Sequence, residues 1–152
     1  MFRFRDAEPG DEPAVREVVF SVLREFGFAP EPGATDADLE DLRANYQEGG
    51  GRFRVLVTED GTIVGCGGLC RVSGEEAELR KMYFLPEARG RGLGSALLRD
   101  LVDHARRQGF RRIVLETASV LAHAGALYRR HGFVEVNRVH LTPRCDQALA
   151  LE

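Results

Sequence analysis

Apolar positions in this chain switch between two periods, and the switches mark its elements. Phe2–Arg5 reads as a first strand. The Pro9-Gly10-Asp11 turn is expected to cap a helix in which Val15, Val18, Val19, Val22, Leu23 and Phe26 hold one apolar face. Gly27–Gly33, with Pro30 and Pro32, reads as a loop. Thr35 or Asp36 opens a second predicted helix through Leu39, Leu42 and Tyr46, ending near Gly49-Gly50-Gly51. Phe53–Glu59 and Thr62–Cys70 are predicted strands joined at Asp60-Gly61, a strong hairpin signal. Ala77–Leu85 reads as a further strand, whose alternation would put Glu78, Arg80, Met82 and Phe84 on one face and Leu79, Lys81 and Tyr83 on the other.

Beyond that strand the period returns to helical, with Leu93, Leu97, Leu101 and Ala105 four residues apart. Arg112–Thr117 is a short apolar run typical of a buried strand. Leu121, Ala124, Leu127, Tyr128 and His131 follow helical spacing again, and Gly132 supplies a stop. Phe133–Arg138 and roughly Asp146–Leu151 read as closing strands. Antiparallel hairpins followed by strand–helix–strand imply an α/β (α+β) domain with a mixed sheet and helices on both faces.

The junction between the central strand and its helix carries the chemistry. Arg89, Gly90, Arg91, Gly92, Leu93 and Gly94 form a glycine-rich turn that opens a helix. Backbone N–H groups in such a turn lack intrahelical acceptors, and the helix dipole favours negative charge there. Glycine admits a bulky anion to the backbone, and two arginines add positive charge, so the turn suits a pyrophosphate. No Lys follows Gly94 as a P-loop requires, and the G-x-G-x-G spacing differs from a dinucleotide fingerprint.

Strand, Arg-x-x-Gly-x-Gly, helix resembles the acyl-CoA signature of the GCN5-related N-acetyltransferases, the GNAT superfamily. Ala126-Leu127-Tyr128-Arg129-Arg130-His131-Gly132-Phe133 resembles that family's second hallmark, a helix carrying a Tyr and closing on Gly-Phe. The resemblance spans nearly the whole chain and implies one domain, residues 1–152, with a sheet of about six to seven strands and about four helices. It also implies a sheet splayed beside the central strand, with the gap taking the pantetheine arm of acetyl-CoA. The Met82, Tyr83 and Phe84 backbone would pair with pantetheine amides, as in strand addition, and a backbone N–H near Met82 or Phe84 would stabilise the oxyanion. Arg89 to Gly94 and Ser95 would hold the pyrophosphate, and Ser119 would lie against the pantetheine.

The same resemblance makes Tyr128 the candidate general acid for the leaving thiolate, although its apolar-face position also suits a core tyrosine. Glu78 is the candidate base, directly or through water, and pairing with a nearby arginine is the competing role. Glu116, at the end of the next strand, is the alternative base or a ligand for a cationic amine. The acidic run Glu31, Asp36, Asp38, Glu40 and Asp41 would suit such an amine, or simply face solvent. Arg138 and Arg144 could instead take a carboxylate.

Composition narrows the partners. Net charge is −3, which favours neither nucleic acid nor an anionic membrane surface. No segment has the length of a membrane span and the N-terminus lacks a signal-peptide core. Three cysteines, Cys66, Cys70 and Cys145, without a secretory signal suggest a reducing cytoplasm, and neither they nor the four histidines have metal spacing. Cys66 and Cys70 are expected to share a strand face. The resemblance implies acetyl transfer from acetyl-CoA to a primary amine of a small molecule or amino acid, and no metal is expected. A peptide or protein acceptor and a non-catalytic acyl-CoA sensor are the alternatives. A homodimer joined through the closing strands is the default assembly the resemblance implies.

Overall fold

The computed structural model describes residues 1–138 and 140–152. Its strands are β1 (Phe2–Asp6), β2 (Arg52–Thr58), β3 (Ile63–Arg71), β4 (Glu76–Phe84), β5 (Arg112–Thr117), β6 (Val134–Val136) and β7 (Gln147–Leu151). Its α-helices are α1 (Glu12–Glu25), α2 (Leu93–Arg107) and α3 (Ala122–Arg130). The seven strands form one sheet in the order β1-β2-β3-β4-β5-β7-β6. β4 and β5 run parallel, joined through α2, while the other neighbours are antiparallel.

Each face of the sheet buries one helical layer. Val15, Val18, Val19 and Leu23 of α1 pack with Phe53, Val55, Cys66 and Cys70 on one side. Leu97, Leu98, Leu101 and Ala105 of α2 pack with Leu69, Leu79, Ile113, Leu115 and Tyr128 on the other. Both cysteines lie on one face, as alternation required. The Asp60-Gly61 hairpin also forms: Thr58 N–H bonds the Thr62 carbonyl at 3.0 Å, with Gly61 at φ 87°.

Three local expectations are corrected. Asp11 does not cap α1 with its side chain; its carboxylate accepts from Arg5 Nη1 at 2.7 Å and from the Glu8 N–H at 2.7 Å. The second predicted helix is broken into a 3₁₀ turn, Ala37–Glu40, and a π-helical turn, Arg43–Gln47. Asp41 is extended between them, φ −146° and ψ 92°, and its Oδ1 accepts the Ala44 N–H at 3.0 Å. Leu39, Leu42 and Tyr46 are nevertheless buried, so the apolar spacing identified the packing face of that segment correctly.

The third correction matters most for the site. Cys66 pairs with Tyr83 and Gly68 with Arg80, so Lys81 and Met82 together oppose Gly67. This is a β-bulge, and one extra residue reverses the alternation beyond it. Met82 and Phe84 therefore join Leu79 against α2, whereas Tyr83 packs on the α1 side. Simple period-two counting had placed Leu79 with Tyr83 and Met82 with Glu78.

Candidate active site

β4 and β5 pair from Glu76↔Arg112 to Leu79↔Leu115 and then part. Past that point β5 continues its ladder with β7, as Glu116 pairs with Ala148 and Thr117 with Gln147. The β5-facing edge of β4 from Arg80 to Phe84 has no strand partner among the described residues, and a wedge opens between the two parallel strands. Leu85 N–H bonds the Val64 carbonyl on the β3 side at 2.9 Å. Alternation therefore turns the Phe84 N–H toward the open edge.

At the wide end of the wedge lies the glycine turn. Gly90 and Gly92 have φ 72° and 77°, and a Cβ added at either would meet open space. The left-handed backbone at Gly92 immediately precedes α2. The first bond into the helix runs from Ala96 N–H to the Gly92 carbonyl at 3.1 Å. The N–H groups of residues 90–95 thus have no acceptor among the described residues, and open space lies beside Gly90 and Gly92. That donor set fits a pyrophosphate. A Cβ at Gly94 would stand 3.3 Å from Leu127 Cδ2, so glycine there brings α2 and α3 close together.

The turn's arginine side chains have other partners. Arg89 makes a two-point contact with Glu25 at 2.7 Å for each bond, donates to the Phe84 carbonyl at 2.9 Å and lies over the Phe26 ring. Arg91 donates to the Glu87 carbonyl at 3.1 Å and covers the Phe2 ring. Both brace the turn against neighbouring elements, so anion binding falls chiefly to the backbone. Ser95 Oγ lies 2.6 Å from His131 Nε2, joining the first turn of α2 to the end of α3. Ser119 is engaged by Asp146, which takes its N–H at 2.8 Å and its hydroxyl at 2.6 Å.

Tyr128 lies on α3, 7% exposed and edge-on to Phe133. Burial, followed by the neighbouring Tyr83 phenol and Cys145 thiol, raises its pKa well above the usual phenol range, so it is held protonated. Tyr83 is itself pushed up to about 12, chiefly by burial. The two tyrosines pack in the clusters on opposite sides of the sheet, Tyr83 on the α1 side and Tyr128 on the α2 side.

On the α1 side of the wedge the charged groups are largely paired. Glu78 Oε1 receives Arg80 Nε at 2.8 Å and Nη2 at 2.6 Å. Asp36, fully buried, takes Arg144 through both its oxygens and also lies 3.4 Å from Lys81 Nζ. Burial opposes its ionisation, but Arg144, the Glu31 N–H and Lys81 outweigh that and hold its pKa below the ordinary carboxylate value. Asp38 takes Lys81 Nζ at 3.0 Å, Arg16 lies 3.4 Å from Glu40, and Arg138 pairs with Glu76. The acidic run is thus mostly built into the fold, and neither Arg144 nor Arg138 is left without a carboxylate.

Glu116 is different. Its Oε1 accepts from the Thr142 N–H at 2.8 Å and from the Thr142 hydroxyl, and no cation pairs with it among the described residues. Had β4 and β5 stayed in register, Arg80 would lie beside it, but Arg80 turns back to Glu78. Lys81, Asp36 and Tyr83 were not foreseen as one cluster, because their meeting depends on the bulge. The one hint in the sequence was a Lys beside the apolar run Met82-Tyr83-Phe84.

A family model for the acetyltransferase (GNAT) family matches residues 17–133. The chain is 39% identical over 132 residues to the uncharacterised N-acetyltransferase YjgM of Escherichia coli K12, spanning 84% of this chain and 78% of that protein. A GNAT-family acetyltransferase from Staphylococcus aureus Mu50 superposes with a TM-score of 0.92 at 22% identity, covering 99% and 98% of the two chains. A phosphinothricin acetyltransferase from Sinorhizobium meliloti, solved with acetyl-CoA, superposes with a TM-score of 0.77 at 21% identity over 99% and 87%. The chain belongs to the GNAT family of N-acetyltransferases.

Proposed function

We propose that this N-acetyltransferase moves the acetyl group of acetyl-CoA to the primary amine of a small cationic molecule or amino acid, by direct transfer in a ternary complex. The carrying observation is the alignment of the open edge of β4 with the unpaired N–H groups of residues 90–95. One binds an extended amide-bearing arm, the other its pyrophosphate, and together they describe an acyl-CoA. The Sinorhizobium meliloti neighbour bound to acetyl-CoA supports the same choice of donor.

Transfer requires proximity first: both reactants held in one wedge gain greatly in effective concentration. The Phe84 N–H would stabilise the developing oxyanion at the thioester carbonyl. The acceptor ammonium first loses one proton to bulk water; the neutral amine then attacks that carbonyl carbon, the tetrahedral intermediate collapses, and the C–S bond breaks. Tyr128, held protonated by its buried setting, gives its proton to the departing thiolate. The amine proton leaves through water to Glu78, whose Oε2 has no hydrogen-bond partner among the described residues. Glu116, lacking a cation, supports an acceptor that arrives positively charged.

The test is incubation with isotopically labelled acetyl-CoA and a mixed pool of amines, amino acids and peptides, followed by mass spectrometry. Labelled product on a small amine is expected. Tight binding of acetyl-CoA with no product would replace the transferase by an acyl-CoA sensor, and product confined to peptides would move the acceptor class.

A further inference from the structure

Lys81 departs from its surroundings in several ways at once. It is the non-glycine residue with a left-handed backbone among those described, at φ 57°. Lysine has no intrinsic preference for that region, and a strained backbone persists where its surroundings over-determine it. Its side chain is 7% exposed, although lysine is rarely buried unless paired. Nζ lies 3.0 Å from Asp38 Oδ1, 3.4 Å from Asp36 Oδ1 and 3.2 Å from the Thr35 carbonyl. The Lys81 carbonyl in turn accepts the buried Cys66 thiol at 3.2 Å, tying the bulge to β3.

The connections extend well beyond the strand. Asp36 also holds Arg144 and the Glu31 N–H, and the second oxygen of Asp38 takes the Tyr46 hydroxyl. One continuous network therefore joins the 31–38 loop, β4, the π-helical turn and the segment before β7. Its hub is the second residue past Leu79, where β4 leaves β5. Buried ion pairs often add little stability over apolar packing, so their value here lies in holding one geometry.

We propose that Lys81 is a positioning residue that clamps the 31–38 loop and the 142–145 segment to the open edge of β4, so that the acceptor amine meets the thioester in one orientation. This rests on the transferase reading above. The ammonium is engaged by Asp38, Asp36 and the Thr35 carbonyl, so it acts through those groups rather than on the reacting atoms.

Lys81→Met keeps the aliphatic stem and removes the charge. The expected result is an acetyl-CoA Kd within about twofold of the parent, with kcat/KM for the amine lowered ~10–100-fold through loss of orientation. Hydrogen exchange should quicken in residues 31–38 and 142–145 and stay unchanged in β2 and β3. A double variant, Lys81→Met with Asp38→Asn, removes both charges and should regain thermal stability without regaining kcat/KM. It also serves if Lys81→Met alone does not fold. Recovery of kcat/KM together with Tm in the double variant would reduce Lys81 to a stabilising pair and overturn the proposal. Unchanged exchange in the 31–38 loop of whichever variant folds would overturn it as well. If the parent protein transfers acetyl to no amine, the activity reading fails separately, and exchange alone decides whether the clamp exists.

Discussion

At the scale of single residues, two positions separate cofactor binding from turnover. Tyr128 is buried and held protonated, and Tyr128→Phe keeps the ring against Phe133 while deleting the hydroxyl. Turnover should fall by up to ~10²–10⁴-fold with acetyl-CoA affinity nearly intact. Steady-state kinetics beside a direct binding titration checks this, and unchanged kcat would leave Tyr128 a packing residue. Gly92 tests the cradle. Its φ of 77° costs an L-residue about 1–2 kcal/mol, yet the protein itself leaves open space for a Cβ. Gly92→Val should therefore fold with modestly reduced stability and lose acetyl-CoA binding, because the added side chain occupies the anion's space. Normal binding by a folded Gly92→Val would mean the pyrophosphate lies elsewhere.

At the scale of elements, β3 and β4 make the site by irregularity. β3 carries Gly65, Gly67 and Gly68, and large side chains from other elements fill the space beside them. A Cβ at Gly68 would come within 2.5 Å of the Phe53 ring and 2.7 Å of the Tyr46 ring, both fully buried. A Cβ at Gly67 would meet Leu97 Cδ2 at 2.8 Å and Met82 Cγ at 3.2 Å, opposite the bulge. Gly68→Ala should lower stability by ~1–3 kcal/mol through overpacking of the α1-side core. The urea midpoint measures it, and a midpoint within error of the parent would show that Tyr46 and Phe53 can move aside. Because Tyr46 also ends the Lys81 network through Asp38, the variant should disturb the 31–38 loop as well.

For the whole molecule, the distinguishing feature is charge carried inward. Asp36 is fully buried between Lys81 and Arg144, so Asp36→Asn leaves the largely buried Arg144 without its carboxylate and Lys81 with Asp38 alone. A loss of about 3–5 kcal/mol is expected at neutral pH, measured by chemical denaturation. The acid response follows from the same groups. Arg5 lowers the Asp11 pKa, while Asp6 is lowered by Arg52 and Arg54 against the opposing effect of burial, and Asp36 behaves alike with Arg144. All three therefore have folded values below 3.8, the ordinary value. The unfolded chain takes up protons first as acid is added. Their stabilisation is present above the unfolded pKa and is lost as pH falls through the folded values. Denaturation midpoints should hold down to about pH 4 and then drop, and Asp36→Asn should lose less over that interval than the parent. A parallel decline in both proteins would remove Asp36 from the acid response.

Periodicity determined the strands, α1, α2 and α3 and, apart from the second half of β4, the faces they bury, and backbone freedom marked the glycine turn before α2, because each is a local consequence of residue type and spacing. The two hallmarks around Gly92 and Tyr128 were legible for the same reason: their residues are contiguous. Other features depended on contacts between distant segments. The bulge at Lys81 coincides with its ion pairs to Asp36 and Asp38 on distant segments, and it reversed the faces of Met82, Tyr83 and Phe84. The break at Asp41, the turning of Arg89 to Glu25, and the lack of a cation beside Glu116 among the described residues have the same origin. Each depends on which partner lies nearest in space, and sequence spacing carries no record of that. The tertiary structure alone opened the sheet after Leu79: β5 stays laddered to β7 on its other edge as far as Thr117 while β4 parts from it, and that outcome exists only once the whole sheet is assembled.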